Sequence, residues 1–307
     1  MSTSALLKRG AWTLLTLLVA LSALHAVTYG LPGDPIRALF GLERPDPTLL
    51  AELRASFGLD EPYPVQLWQY LSGLVTGDLG PVYRLAPGGL APSPGSVGEL
   101  IGQGMPHTLR LVGVAVVLQV VVGTLVAVWM VDASVRRRQT IMALVSLGVA
   151  IPAFVAANML AATVPWLVDA SRVLVGAACL AAAPAGMMAI TGFADVRTSR
   201  RSSYVQRARS AGVAERRVKW LHGLRPAMAP MVSLAASQTG FMLATAVVVE
   251  PAVGIPGIGR LLTTSLQTRQ GPTTLAVVGV FLIAVAVVNL LADVTTTLLD
   301  PRVTDAI

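Results

Sequence analysis

Charge is scarce in this chain: 13% of its 307 residues are Asp, Glu, Lys or Arg, where an ordinary soluble domain carries about a quarter. With 54% hydrophobic residues and a mean hydropathy of +0.69, the chain is too short to bury that much apolar surface from water. Lipid is therefore the solvent for much of it. Cysteine is nearly absent. Cys179 stands alone in an apolar run, which excludes an intrachain disulfide framework and a CxxC metal site. The three histidines, His25, His107 and His222, lie far apart with no H-x-x-x-H spacing, so each reads as structural and neither metal nor cofactor is expected. There is no G-x-x-x-x-G-K-[ST] loop for a nucleotide phosphate. No G-x-S-x-G elbow surrounds Ser146, Ser233 or Ser237, as an intramembrane serine hydrolase would need. Internal repeats and paired midplane charges, the marks of many ion-driven carriers, are missing too.

What is present is a series of long apolar runs. A spanning helix needs roughly 20 apolar residues, and six stretches meet that length: Ala11–Gly30, Leu109–Val131, Thr140–Leu167, Val173–Phe193, Ala227–Val249 and Leu275–Leu299. The first follows Lys8 and Arg9 like a signal peptide. Its apolar run is longer than a signal core and lacks a clean A-x-A site, so it reads as a retained helix. If the N-terminus is cytoplasmic, the inside segments hold fifteen of the 23 basic residues. The short outside loops hold only Arg172, Arg260 and Arg269. The positive-inside rule then predicts both ends in the cytoplasm. A pI near 10.3 is accounted for in this way, and no nucleic-acid partner is expected.

The stretch from Leu31 to about Gly104 differs, with eight carboxylates against four arginines. It reads as a small ordered appendage. Asp46-Pro47 predicts an N-cap followed by a first-turn proline, and Gly58 a helix stop. A second amphipathic helix is expected in PVQLWQYLSGL, while the Pro/Gly/Ser-rich Arg84–Gly98 reads as flexible. The chain thus divides into an N-terminal segment with the first span (1–30), an extracytoplasmic domain (31–104) and a five-helix core (105–307).

Inside that core, residues 195–225 gather an unusual share of the positive charge, in YVQRARSAGVAERRVKWLHGLRP. Setting topology requires only a few charges, yet this segment is also patterned. Ser203 is placed to cap a helix whose Tyr204, Ala208 and Ala211 share one face at i, i+4 and i+7. Gly212 sits at the expected left-handed stop. A second short helix, AERRVKWLHGL, is expected before Pro226. Small residues among arginines suit an acidic partner surface, and they equally suit a solvated loop beside anionic headgroups. The residues alone leave both readings open.

The segment resembles the cytoplasmic loop of bacterial ABC importer permeases, E-A-A-x-x-x-G. The matching positions are Gln206, Arg207, Ala208 and Gly212, of which Gln206 and Arg207 depart from the pattern. YVxxARxxG followed by ERRV and HxLRxAxxP is the form of that family's peptide and nickel branch. Here it reads Tyr204, Val205, Ala208, Arg209 and Gly212, then Glu215–Val218, His222, Leu224, Arg225, Ala227 and Pro230. LPGDP (Leu31–Pro35), GLDEPYPVQLWQYL (Gly58–Leu71) and GDLG (Gly77–Gly80) resemble the outside domain of the B-type permeases. ELI with PHTL (Glu99–Leu109), VVEPAVGIPGIG (Val248–Gly259) and NLLADVTTTLLDPR (Asn289–Arg302) resemble three further family segments, Val253 replacing an aromatic. A short turn between the third and fourth spans and the inserted-looking Arg84–Gly98 depart from the pattern.

The resemblance, strongest to the dipeptide permease B subunit, implies an all-α membrane protein of six spans with the type I ABC importer permease fold, in the bacterial inner membrane. It implies half of a translocation path for dipeptides or oligopeptides, with nickel chelates or haem as alternatives. A secondary-active carrier is the rival outside the family. The protein would not itself be an enzyme. Its implied partners are a second related permease, one or two ATP-binding subunits, an extracytoplasmic substrate-binding protein and membrane lipid. The implied ATPase-coupling residues are Tyr204, Gln206, Arg207, Ala208, Arg209, Ala211, Gly212 and Arg216. The gate or pathway candidates are Glu250, Pro256, Gly257, Gly259, Asn289 and Asp293. Asp293 is a candidate because an intramembrane carboxylate is costly unless used. Simple hydration at the interface is the plain reading of Glu250. Gln119, Asn158, Gln238 and Asn289 read as hydrogen-bond glue between helices.

Overall fold

Backbone surrounded by hydrocarbon must satisfy its own hydrogen bonds, so the apolar runs fold as helices. The computed structural model describes residues 3–30, 35–38, 40, 46–86 and 89–299, with side chains at 8–29, 36–37, 40, 46–82 and 95–296. Leu31–Asp34, Glu43, Arg44 and the Asp300–Arg302 end, all read above, lie outside the described residues.

The first long helix, α1, is Thr3–Gly30, followed by a single turn, α2 (Pro35–Ala38). In α3 (Pro47–Ser56) the Asp46 carboxylate caps the helix as predicted, accepting from Thr48 N at 3.0 Å and from Thr48 Oγ1 at 2.8 Å. Gly58 ends it at φ +63°, with Gly58 N–H bonded to Ala55 O and Leu59 N–H to Arg54 O, the pairing of a left-handed stop. Next comes α4 (Tyr63–Thr76), the expected amphipathic helix, closed by Gly77 at φ +81°.

The Pro-rich segment is not the flexible linker expected. Strands β1 (Pro81–Ala86) and β2 (Gly89–Ser96) pair antiparallel, Pro81 opposite Ser96 and Ala86 opposite Gly89, with a register shift after Pro81. Pro92 and Pro94 cannot donate to a ladder, but a two-stranded ladder has only edges, where proline is tolerated. Among the described residues this ladder is the only sheet, and the rest of the regular structure is helical. Helix α5 (Val97–Asp132) starts at once and carries Pro106 within it, so it begins well before the Leu109 read from hydropathy.

The third span also needs correction. In place of one helix over Thr140–Leu167 there are α6 (Val135–Ala150) and α7 (Ala153–Thr163), bent by 88°. Pro152 forces the break: the residue before it, Ile151, turns extended at ψ 117° because proline excludes the helical region for its predecessor. Short α8 (Pro165–Ala170) leads to α9 (Arg172–Arg200). The basic segment then forms α10 (Ser203–Ser210) and α11 (Glu215–Arg217), passes through a π-helical turn, Val218–Leu224, and continues as α12 (Arg225–Val253). The second short helix therefore does not stop before Pro226. Proline is tolerated in the first turn of α12, where its missing N–H is not required, and the wider π turn changes the hydrogen-bond register ahead of it. Last come α13 (Ile258–Gln267) and α14 (Gly271–Leu299).

Among the described residues, five helical runs are long and apolar enough to cross a membrane: Lys8–Tyr29, Val97–Asp132, Arg172–Arg200, Glu215–Val253 and Gly271–Thr296. The bent α6–α7 pair makes a sixth if it counts as one span. Only 11% of the apolar window of the first is buried within the chain, which leaves Trp12, Leu15 and Val19 exposed.

Two compact units divide the chain. One gathers Leu109–Gly254 with Met1–Leu7 and Val287–Ile307. In it α9 packs most extensively on α12, over a core of Ala127, Val128, Met188, Val196, Ala227 and Met231. Small residues let these helices close up: a side chain at Gly123 would sit 2.9 Å from Met188 Cβ, and one at Gly192 2.6 Å from Met231 Cε. The other unit gathers Lys8–Thr108 and Ile255–Ala286. Its small core of Ile36, Phe40 and Leu53 holds α2 against α3.

Candidate functional site

Helix α10 is short and polar, so its stability comes from its ends and its anchors. Ser202, not Ser203, occupies the N-cap position, and its hydroxyl turns back to Ser199 O at 2.6 Å. At the other end Gly212 adopts φ +76°. Gly212 N–H bonds to Arg209 O at 2.9 Å and Val213 N–H to Ala208 O at 3.1 Å. This is the complete two-bond stop that the sequence position of Gly212 predicts. Val205 is fully buried, and Tyr204 Oη shares a 2.7 Å hydrogen bond with Ser199 Oγ. These contacts fasten α10 to the end of α9.

The rest of α10 is open. Tyr204, Gln206, Arg207, Arg209, Ala211, Gly212 and Arg216 are exposed and Ala208 half-buried. Seven of the eight predicted coupling residues are thus exposed, in α10, the turn after it and α11. A side chain at Gly212 would meet nothing within 4 Å, so the demand for glycine there is conformational and not a matter of space.

Reasoning from sequence missed the charges that brace this surface. Arg209 donates to Glu215 through Nε at 3.1 Å and Nη2 at 2.7 Å. Glu215 also accepts from Arg200 Nη2 at 3.1 Å. Arg200 reaches Asp132 at the end of α5, and Lys219 bonds to the same carboxylate. The Glu215 hydrogen bond raises Arg209 above its ordinary pKa, and the charge of Glu215 adds to this against slight burial. Gly223 makes the arrangement possible. The Arg200 stem lies over it, 2.8 Å from where a Cβ would stand. A usable signal existed, because Glu215 is the only carboxylate between Asp195 and Arg225.

The gate candidates fall in both units. Glu250 is fully buried on α12, one residue before Pro251, which corrects the reading of simple hydration. Gly254 caps α12 at φ +72°. In the other unit Pro256 is exposed, Gly257 and Gly259 are buried, and Gly257 is the N-cap of α13. Ile258 N–H donates to the buried Thr108 Oγ1 at 2.9 Å. A Cβ on Gly104 would stand 3.2 Å from Gly257 C and Ile258 N, so α5 meets this turn backbone to backbone. Asn289 and Asp293 are exposed on α14. The Asn289 amide lies against Gly240, its Oδ1 2.1 Å from a Cβ built there. Gln119 and Gln238 are hydrogen-bonded between α5 and α12 as expected. Asn158 is not interhelical glue, since its amide bonds to Phe154 O of its own helix at 2.8 Å.

Residues 103–305 match the family described as "Binding-protein-dependent transport system inner membrane component", and residues 3–86 match its N-terminal counterpart, "Binding-prot-dependent transport system membrane comp, N-term". Among curated proteins, the chain is similar to the glutathione transport system permease protein GsiC of Salmonella choleraesuis strain SC-B67. The two are 31% identical over 316 residues, which cover 97% of each chain. The protein of the same name from Escherichia coli strain K12 is 30% identical over 300 residues, 94% of each.

Proposed function

The chain belongs to the family of binding-protein-dependent transport system inner membrane components, and from that premise we propose that it is the permease of an ATP-driven importer for short peptides. Family membership makes it a multi-pass inner-membrane permease subunit of the ABC importer class. The secondary-carrier alternative falls with that match. The finer reading concerns solute, partners and residues. Relatives named for glutathione, a tripeptide with an unusual linkage, share nearly the whole length of the chain. That similarity supports a solute of two to a few residues, dipeptides and glutathione-like peptides included.

In this reading both termini and the basic segment face the cytoplasm and residues 31–104 face outside. The exposed surface of α10, with Tyr204, Gln206, Arg207, Ala208, Arg209, Ala211, Gly212 and Arg216, seats in an ATP-binding subunit. The observation that carries the proposal is the tethering of α10: an exposed helix fastened through Glu215 and Arg200 to the ends of α9 and α5. Closure of an ATPase dimer displaces α10, and this network passes the displacement to the spans, which shift between two packings. A second permease completes the path, and a substrate-binding protein delivers solute at the outside domain. Glu250, Pro256, Gly257, Gly259, Asn289 and Asp293 form the candidate gate and pathway set.

The test is competitive uptake in a strain lacking this chain and in the complemented strain. Labelled dipeptide serves as tracer, with unlabelled tetrapeptide, hexapeptide, glutathione, nickel chelate and haem as competitors. Chain-dependent uptake blocked by short peptides is expected. Competition by nickel chelate or haem alone rejects the peptide reading.

A further inference from the structure

A cavity of about 610 Å³ lies in the unit formed by Lys8–Thr108 and Ile255–Ala286, away from α10 in sequence. That volume is within the range of small-molecule sites. His25 on α1 lines it, together with Tyr29, Gln66, Tyr70 and Asp78.

Several of the polar groups there have only acceptors left to offer. His25 is 2% exposed, and its Nδ1 has no hydrogen-bond partner, a vacancy that costs free energy unless something fills it. The ring is fixed by Tyr29, Tyr63 and Tyr70, whose centroids lie 5.0, 5.4 and 5.3 Å away. Both amide donors of Gln66 are spent, on Leu59 O at 3.1 Å and Glu61 O at 2.7 Å. The Tyr70 hydroxyl gives its proton to Leu275 O at 3.3 Å. Burial, and then the neighbouring Tyr29, raise its pKa above the ordinary 10.0, so it stays neutral. Gln66 and Tyr70 therefore have only acceptor capacity to offer. Asp78 supplies a negative charge, and among the described residues no Lys or Arg lines the cavity.

We propose that this cavity is a binding site for a small primary ammonium compound, its cation held at Asp78 and its remaining donors directed to the acceptors around His25. A bare metal ion fits poorly, because the space is too roomy and the acceptors are mostly neutral. The inference is independent of which solute the permease carries.

The test uses the assembled transporter in lipid nanodiscs without its binding protein. L-alaninamide and N-acetyl-L-alaninamide, which differ in the cation, are titrated calorimetrically. Saturable binding of L-alaninamide is expected, with affinity about tenfold lower for the acetylated compound and for L-alaninamide on Asp78→Asn, since a charge-assisted bond is lost in both. His25→Phe keeps the ring and removes the nitrogens, and weaker binding at an unchanged melting temperature is expected. Asp78 is exposed, so its variant reports binding without a folding defect. Equal binding of the two compounds, unchanged binding by Asp78→Asn, or no saturable binding overturns the proposal.

Discussion

Arg209 and Glu215 are joined by two parallel hydrogen bonds, 3.1 and 2.7 Å long, that close the turn between α10 and α11 around Gly212. Exposed ion pairs usually contribute little. This one differs in its second connection: Glu215 also holds Arg200, whose side chain is only 13% exposed. Removing Glu215 therefore frees Arg209 and, among the described residues, leaves Arg200 ion-paired with Asp132 alone. Glu215→Gln is expected to lower solute-stimulated ATPase and uptake several-fold while leaving membrane insertion intact. Exchanging the charges, Arg209→Glu with Glu215→Arg, is expected to restore less than the wild-type level, because Arg200 then faces an arginine. The check is ATPase and uptake in a reconstituted complex. Unchanged coupling in Glu215→Gln removes the brace from the account.

Gly212 tests the helix stop separately from the charges. At φ +76° with nothing within 4 Å of an added Cβ, the penalty is in the backbone, about 1–2 kcal/mol for a residue with a side chain. The expected order of coupling is Gly212, then Asn, then Ala, then Val, because asparagine tolerates the left-handed region and a β-branched residue does not. Normal solute-stimulated ATPase in Gly212→Val contradicts this.

The turn before α13 is held in part by a side-chain acceptor, Thr108 Oγ1, which takes the Ile258 N–H. Thr108→Val keeps the shape but leaves the buried Ile258 N–H without Oγ1, at an expected cost of about 1–3 kcal/mol. Gly104→Val is expected to cost at least as much, because the neighbouring atoms are backbone and cannot swing aside. Thermal unfolding of the purified protein checks both. A melting temperature unchanged in both variants shows that the turn does not depend on this contact.

Acidification reads out the cap of α3. The Thr48 backbone N–H, and then its hydroxyl, hold Asp46 below its ordinary 3.8, with slight burial opposing. A carboxyl depressed in the folded state stabilises above its unfolded pKa, and that contribution is lost as pH falls through the folded value. Amide protection at Thr48 and Leu49 is expected to drop below about pH 4, and Asp46→Ala is expected to remove the pH dependence. Protection that persists at low pH in the wild type shows that the cap is not electrostatic.

Much of this was legible in the residues because the determinants were local. Asp46-Pro47, Gly58 and Gly212 act within one turn of their own positions, and each formed the cap or stop its neighbours predict. Apolar run length located most of the spans for the same reason. The break at Ile151–Pro152 was available from the proline rule, yet the surrounding hydropathy is unbroken and hides it. The Pro81–Ser96 ladder was missed because two prolines argue against strand pairing unless both strands are edges. The brace from Asp132 to Arg200 to Glu215 joins residues 68 and 15 positions apart, and its members look like ordinary topology charges until the helices meet. Burial of Glu250 is likewise a property of packing, since a carboxylate at a span end is ordinarily solvated.

Disulfide trapping of α10 tests the central claim most directly. With Cys179→Ser as background, Ala211→Cys in membranes holding the whole transporter is expected to cross-link to a cysteine in the cleft of the ATP-binding subunit, with a yield that changes when nucleotide is added. A membrane-impermeant maleimide is expected to reach the same cysteine only from the cytoplasmic side. Labelling from outside, or no nucleotide-sensitive cross-link, contradicts the account.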